Sequence, residues 1–205
     1  APSTEDAKNV EAQASSAMAV TVKYLTQLAQ RIATDEHKEV ALDAKFAVPE
    51  DLSSKIMAIT KDILPQLVRN AVVHGIEPPT ERERLGKPRQ GSIVLSVASD
   101  AEQGIAIHVR DDGRGLSFEA IRQSLRNSSR LSAEEIAALT DHQLVAQIFE
   151  PGISTAHATG LHAGRGVGLD VVKDIVSRVG GRIRVRSRVN GHTEFQLIFP
   201  RTAFS

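Results

Sequence analysis

Ile105-Ala106-Ile107-His108-Val109-Arg110-Asp111-Asp112-Gly113-Arg114-Gly115-Leu116 is the stretch that decides the fold. Its first six residues alternate large apolar side chains with small or polar ones, the period of a strand with one face in a core and one toward solvent. The strand then meets two acids and a turn whose two glycines allow close backbone approach or a positive φ. Just upstream, residues 92–98 alternate in the same way, and Asp100-Ala101-Glu102-Gln103-Gly104 joins the two runs as a hairpin. A hairpin with one apolar face needs a covering layer.

Helical segments on either side supply that layer. Residues 4–34 are rich in Ala, Gln, Leu, Val and Lys without Gly or Pro, and Ser3 with Thr4 or Asp6 provides a start signal. Met18, Val22, Leu25, Leu28 or Ala29, and Ile32 form one apolar stripe. It fits a helix packed on its own domain and half of a dimerisation hairpin equally well. Residues 39–46 alternate as a half-buried strand. A Pro49-Glu50-Asp51 turn leads to a helix over residues 56–73, with a break or start near Pro65 and an end at His74-Gly75. Residues 78–88 read as a charged, Pro-rich loop. Ser117 caps a helix to about residue 127, Ser132-Ala133-Glu134-Glu135 is a capping box, and Asp141 caps a third short helix through residue 149. Residues 151–168 have no apolar period and read as a mobile loop or lid. A helix over residues 167–179 stops at Gly180-Gly181, and residues 182–189 and 193–199 close as a hairpin around Asn190-Gly191. The order α-β-α-β-β-α-(lid)-α-β-β predicts an α+β fold, a two-layer sandwich.

Composition narrows the chemistry. With 205 residues and 41% apolar content the chain can bury a sizeable core. Its 25 basic and 25 acidic residues leave no net charge, so the electrostatic footprint of a general nucleic-acid binder is missing and any affinity for phosphate is local. The absence of cysteine excludes disulfides, thiolate metal sites and cysteine nucleophiles. No run approaches the roughly 18–20 apolar residues of a membrane span, and a cytoplasmic location is expected. The sequence begins at Ala1-Pro2-Ser3 without Met and is expected to be a piece of a longer polypeptide.

Three separated segments carry chemistry. In Leu67-Val68-Arg69-Asn70-Ala71-Val72-Val73-His74-Gly75 an amide sits on an otherwise apolar helix. Its carbonyl oxygen suits magnesium, which takes oxygen ligands and keeps waters while bridging phosphates, although a satisfied core or surface Asn reads the same way. Arg69 and His74 flank it and could reach phosphate oxygens. In Asp111-Asp112-Gly113-Arg114-Gly115, a β-turn explains the glycines but not two acids at a strand end. A carboxylate aimed into a pocket there would accept the adenine exocyclic amine and reject guanine, which presents a carbonyl. In Gly164-Arg165-Gly166-Val167-Gly168-Leu169-Asp170-Val171-Val172 three glycines run into a helix, where backbone N–H groups and the positive helix end would cradle an anion; a plain linker is the alternative.

In this order the segments resemble the N, G1 and G2 boxes of the ATPase superfamily that unites DNA gyrase, Hsp90, MutL and the histidine kinases. Arg69-Asn70-Ala71, His74-Gly75-Ile76-Glu77, Gly86-Lys87-Pro88, Asp111 to Leu116, Ile148-Phe149-Glu150-Pro151-Gly152-Ile153-Ser154-Thr155 and Gly164 to Lys173 resemble the catalytic domain of the CheA-like histidine kinases over about residues 39–200. The resemblance implies a Bergerat-type ATP-binding fold over residues 37–205, with an ATP lid at about 117–168; residues 1–36 are left as the N-terminal helix, for linkage or dimerisation. It implies that Asn70 holds Mg2+, Arg69 and His74 lie near the phosphates, and Asp111 binds the adenine amine. Gly113, Gly115 and Leu116 would shape the base pocket, and Phe149 to Thr155, with Ser154 and Thr155, would belong to the lid. Gly164, Arg165, Gly166, Val167, Gly168 and Leu169 would wrap the triphosphate, and Thr193 matches the threonine of the last glycine box. The reaction implied is transfer of the ATP γ-phosphoryl group to a histidine on another domain, in a CheA-like or hybrid sensor kinase that feeds a response regulator.

Three positions depart from the pattern: Gln66, where CheA-like kinases carry His and other members Glu; Val73, where they carry an acid; and His192, which replaces a glycine. Gln66, Asn70 and His74 are the catalytic candidates, yet an amide cannot serve as a general base. Gln66 argues against a hydrolytic switch, and the three departures together leave open a nucleotide-binding signalling module without phosphotransfer. None of the seven histidines lies in a kinase-type phosphoacceptor segment, so the acceptor is expected on another domain.

Overall fold

The computed structural model of the chain describes residues 4–48, 50–100, 104–151 and 168–204, with side chains described for 18–48, 54–99, 104–151 and 168–204. Among the described residues five strands form one mixed sheet. β1 (Val40–Ala47) runs parallel to β2 (Gly91–Asp100). β3 (Gly104–Asp111), β5 (His192–Phe199) and β4 (Arg182–Arg188) follow antiparallel, in the order β1-β2-β3-β5-β4.

Side-chain parity decides which face is covered. Ile93, Leu95 and Val97 of β2, Ile105, Ile107 and Val109 of β3, and Phe195, Leu197 and Phe199 of β5 are buried in one core. Against them lie Leu25, Ala29, Ile32 and Ala33 of α1 (Thr4–Asp35), Ile56, Ile63, Leu64, Leu67 and Val68 of α2 (Glu50–Asn70), and Val172 and Val176 of α7 (Leu169–Arg178). On the opposite face Val94, Arg110, Arg182, Arg184 and Arg186 are exposed. The expected two-layer α+β sandwich is the observed architecture. The lower half of the α1 stripe packs on its own chain, the first of its two sequence readings, while Val20 and Tyr24 higher on the helix are exposed.

Three local expectations need correction. α2 begins at Glu50 and runs without a break through Pro65. An internal proline costs about 3 kcal/mol, but each buried Leu or Ile contributes about 1.5–3 kcal/mol, and such residues lie on both sides of Pro65. The charged stretch after Pro78 contains a short helix, α3 (Pro79–Arg84), started by Pro79 in its first turn. The cap of α6 (Asp141–Gln147) is Thr140 rather than Asp141, because Thr140 and Gln143 form a reciprocal capping box at 3.3 and 2.9 Å. Ser117 and Ser132 cap α4 (Phe118–Ser128) and α5 (Ala133–Ala138) as expected. Most of the stretch read as a loop or lid, residues 152–167, lies outside the described residues.

Candidate functional site

The apolar stripe of β3, Ile105-Ile107-Val109, has Asp111 as its next inward position. Thr193 is the inward residue that precedes Phe195 on β5, and the two are register partners. Parity therefore carries an acid and a hydroxyl into the end of the core layer, where Asp111 is only 4% exposed and Thr193 is also buried. Burial pushes the Asp111 carboxyl up to about 6, against the stabilising backbone bonds from Gly113 and Thr193; the nearby charges of Asp112 and Glu77 raise it further.

The wall facing Asp111 comes from the end of α2. After Asn70 the helix widens into a π-turn, Ala71–Gly75, closed by the Ile76 N–H donating to the Ala71 carbonyl at 2.8 Å. π-turns inside helices recur at functional sites. Gly75 then abuts the acid: a Cβ there would stand 2.8 Å from the Asp111 carboxyl carbon. Gly113 leaves still less room, since its Cβ would stand 2.1 Å from the Gly75 carbonyl oxygen. The Arg114 N–H donates to that same oxygen at 3.0 Å, and the Gly113 N–H donates to Asp111 Oδ1 at 3.0 Å. The turn continues through Gly115 at φ +76°, packed on the Arg188 carbonyl, and the Leu116 N–H donates to Ser187 Oγ at 2.7 Å. The N-box helix end and the acidic glycine turn, some 40 residues apart in sequence, thus form one closely packed corner.

Gln66, Arg69, Asn70 and His74 lie on the last turns of α2 and its π-turn, all half-buried. Burial and the Lys38 charge hold the His74 imidazole below its ordinary pKa. Lys38 donates to the Val72 and Val73 carbonyls at 2.8 and 2.6 Å and so ties down the carbonyl side of the π-turn. Gly168 immediately precedes α7, and Leu169 opens it half-buried. Ser154, Thr155, Gly164, Arg165, Gly166 and Val167 lie outside the described residues.

Sequence reasoning missed the ionic cluster beneath the turn. Arg82 and Glu77 are both fully buried and paired at 2.9 Å. Arg82 also meets Asp112 at 2.8 Å, and Lys87 meets Glu77 at 2.7 Å. Burial alone would raise the Glu77 carboxyl, but its bond to Lys87, its own backbone N–H and the two cations hold it below its ordinary value. The only signal was the recurrence of Glu77 and Lys87 in the matched segments. In a stretch with Pro78, Pro79 and Pro88, charge reads first as solvation.

The donor set fits the groups expected here. An amide oxygen at Asn70 is a hard ligand, and no group of three or more His, Asp or Glu able to hold a metal is found among the described residues. Asn70 would offer a magnesium ion one oxygen ligand of the type that ion prefers. Among the described residues, no helix is long and apolar enough to cross a membrane.

Residues 59–203 match the family described as histidine kinase-, DNA gyrase B-, and HSP90-like ATPase. The chain is 36% identical over 186 residues to the chemotaxis protein CheA of Halobacterium salinarum, covering 89% of this chain and 28% of that protein. It is 39% identical over 142 residues to the gliding motility regulatory protein of Myxococcus xanthus, covering 69% of this chain and 18% of that protein. The chain therefore spans less than a third of the length of these curated relatives. The solved mycobacterial sensor histidine kinase MprB shares the fold, with a TM-score of 0.51 at 15% identity over 89% of this chain and 95% of that one. An acid at the end of an inward strand face, glycines that admit the helix end against it and a family match spanning both place the chain in the histidine kinase-, DNA gyrase B- and HSP90-like ATPase family.

Proposed function

We propose that this chain is the ATP-binding catalytic domain of a CheA-like or hybrid sensor histidine kinase, and that it transfers the γ-phosphoryl group of ATP to a histidine on another domain. The observation that carries this reading is the buried Asp111 carboxylate, fixed by the Gly113 N–H and backed by Gly75. A carboxylate so placed accepts from the exocyclic amine of adenine. Asn70 would supply an oxygen to Mg2+, whose charge would neutralise that of the phosphates when bound. Arg69 and His74 lie toward the phosphates, and Gly113, Gly115, Leu116 and Thr193 line the base end. By sequence Ser154 and Thr155 belong to a cover over about residues 117–168, and Gly164, Arg165, Gly166, Val167, Gly168 and Leu169 to the stretch that wraps the phosphates. In the transfer the bond from the γ-phosphorus to the β,γ-bridging oxygen breaks, a phosphorus–nitrogen bond to the acceptor imidazole forms and ADP leaves; positioning and charge neutralisation do most of the catalytic work.

Gln66 lies one helical turn before Asn70. Its amide can orient a group by hydrogen bonding but cannot take a proton from water, which favours transfer to a strong nucleophile over hydrolysis. The partners that follow are a histidine-containing phosphoacceptor domain and a downstream response regulator, with no nucleic acid and a cytoplasmic location. Residues 37–205 form the kinase unit, and residues 1–36 link or dimerise it through the exposed part of α1.

The test is to incubate the chain with γ-labelled ATP, Mg2+ and a panel of histidine phosphoacceptor domains. Label is expected on an acceptor histidine, in an acid-labile linkage, only when Mg2+ is present. ATP binding with no acceptor labelled across the panel would contradict the transfer assignment.

The raised pKa of Asp111 gives a second prediction, with opposite signs for binding and folding. The amine of adenine needs the ionised carboxylate, so ATP affinity should fall as pH drops through about 6. Folding responds the other way. The folded carboxyl holds its proton up to about 6 whereas its ordinary value is 3.8, so its unfavourable contribution is full above about 6 and is lifted as pH falls from there toward 3.8. ATP titrations and thermal melts over this window should therefore diverge, and Asp111→Asn should lack the Asp111 contribution to both.

A further inference from the structure

Resting on the ATP reading above, we propose that Lys87 and Arg82 are positioning residues for base recognition, clamping the Asp112–Gly113 peptide so that Asp111 meets adenine rather than guanine. One planar peptide links the two ends of this relay. Its carbonyl, from Asp112, accepts from Lys87 Nζ at 2.9 Å and from Arg82 at 3.4 Å. Its N–H, from Gly113, donates to Asp111 Oδ1 at 3.0 Å. Because the peptide unit is rigid, holding the carbonyl fixes the direction of the N–H, and polarising the carbonyl strengthens that N–H as a donor.

The clamp is anchored on every side. The Lys87 ammonium has three donors and meets three acceptors: Glu77 Oε1 at 2.7 Å, the Asp112 carbonyl and the Gly113 carbonyl at 2.7 Å. Arg82 donates to the Pro88 carbonyl at 2.7 Å, to Glu77 Oε2 at 2.9 Å and to Asp112 Oδ2 at 2.8 Å. Asp112 Oδ1 accepts from the Ser92 N–H at 2.8 Å, which fastens the turn to β2. Two cations and two anions balance here, so the cluster fixes geometry beside Asp111 without adding net charge. The cluster converges on one of the two backbone groups that bond the base-reading carboxylate, the Gly113 N–H beside that of Thr193. Lys87 is the informative member, because two of its three bonds go to carbonyls of the turn.

The experiment measures equilibrium dissociation constants of the whole chain for ATP and for GTP, in the wild type and in Lys87→Gln. Loss of the clamp should weaken ATP about tenfold, the equivalent of about 1.4 kcal/mol, and leave GTP nearly unchanged, so that discrimination between the bases narrows. Equal losses for both nucleotides, or an unchanged ratio in a folded variant, would overturn the proposal. Should Lys87→Gln fail to fold, Asp112→Asn provides the same readout, since it removes one of the two anionic partners of Arg82, loosens the Arg82 side of the clamp and keeps the peptide; the ratio should narrow in the same direction, and an unchanged ratio overturns the clamp. A wild type that binds no ATP would instead overturn the underlying nucleotide reading.

Discussion

Asp111→Asn should raise the dissociation constant for ATP by about a hundredfold or more, a loss of about 2.7 kcal/mol, while leaving the fold as stable as before at neutral pH. The binding loss has two sources. A charge-assisted hydrogen bond contributes about 1.5–3 kcal/mol, and a mispaired buried donor costs about 1–3 kcal/mol. The asparagine amide keeps one acceptor for the Gly113 N–H but offers adenine a donor or a weaker, neutral acceptor. Stability should not follow binding downward, because burial already disfavours the ionised Asp111 in the folded state. Isothermal titration with ATP and a thermal melt of the same sample separate the two effects. A variant that loses stability together with affinity would mean that Asp111 serves the fold rather than the ligand.

Arg82→Met should destabilise the folded chain by about 3–5 kcal/mol, the range for removing one partner of a buried ion pair. Arg82 is fully buried and satisfies Glu77, Asp112 and the Pro88 carbonyl at once. Its removal leaves Glu77, itself fully buried, with Lys87 as its one remaining cation. Methionine fills comparable volume, so the loss reports charge and hydrogen bonding rather than a cavity. Chemical denaturation measures it directly. The double variant Arg82→Met with Glu77→Gln should lose less than the sum of the two single changes, because the uncompensated charge is then gone. Additive losses would show that the two groups act independently.

The sequence foretold most of the sandwich because the sheet obeys simple alternation. Residues 92–98 and 105–110 carried the two-residue period that the core face confirms, and the caps at Ser117 and Ser132 were legible as capping signals. Pro65 misled because local helix propensity says nothing about the apolar residues that α2 buries on both sides of it. The short helix α3 was hidden because charge and proline together are the usual composition of a loop. At the site, Asp111, Gly113 and the helix end at His74-Gly75 stood out through residue type and order. Their contact, with Gly75 against the Asp111 carboxyl, needed three dimensions. Arg82 and Glu77 were the least legible, since nothing in a one-dimensional pattern shows that an arginine between two prolines is fully buried. The Lys38 bonds to the π-turn carbonyls were equally silent, since they join residues more than 30 positions apart.

The most direct measurement is an amide chemical-shift titration of the isotope-labelled chain with ATP and Mg2+. Saturable one-site shifts should concentrate at Gly75, Gly113, Gly115 and Thr193, with Asn70 and His74 responding to the metal, while Arg182 and Arg184 at the far end of β4 stay unmoved. No saturable shift at millimolar ATP, or shifts centred away from the Asp111 corner, would contradict the assignment of this corner as the nucleotide site.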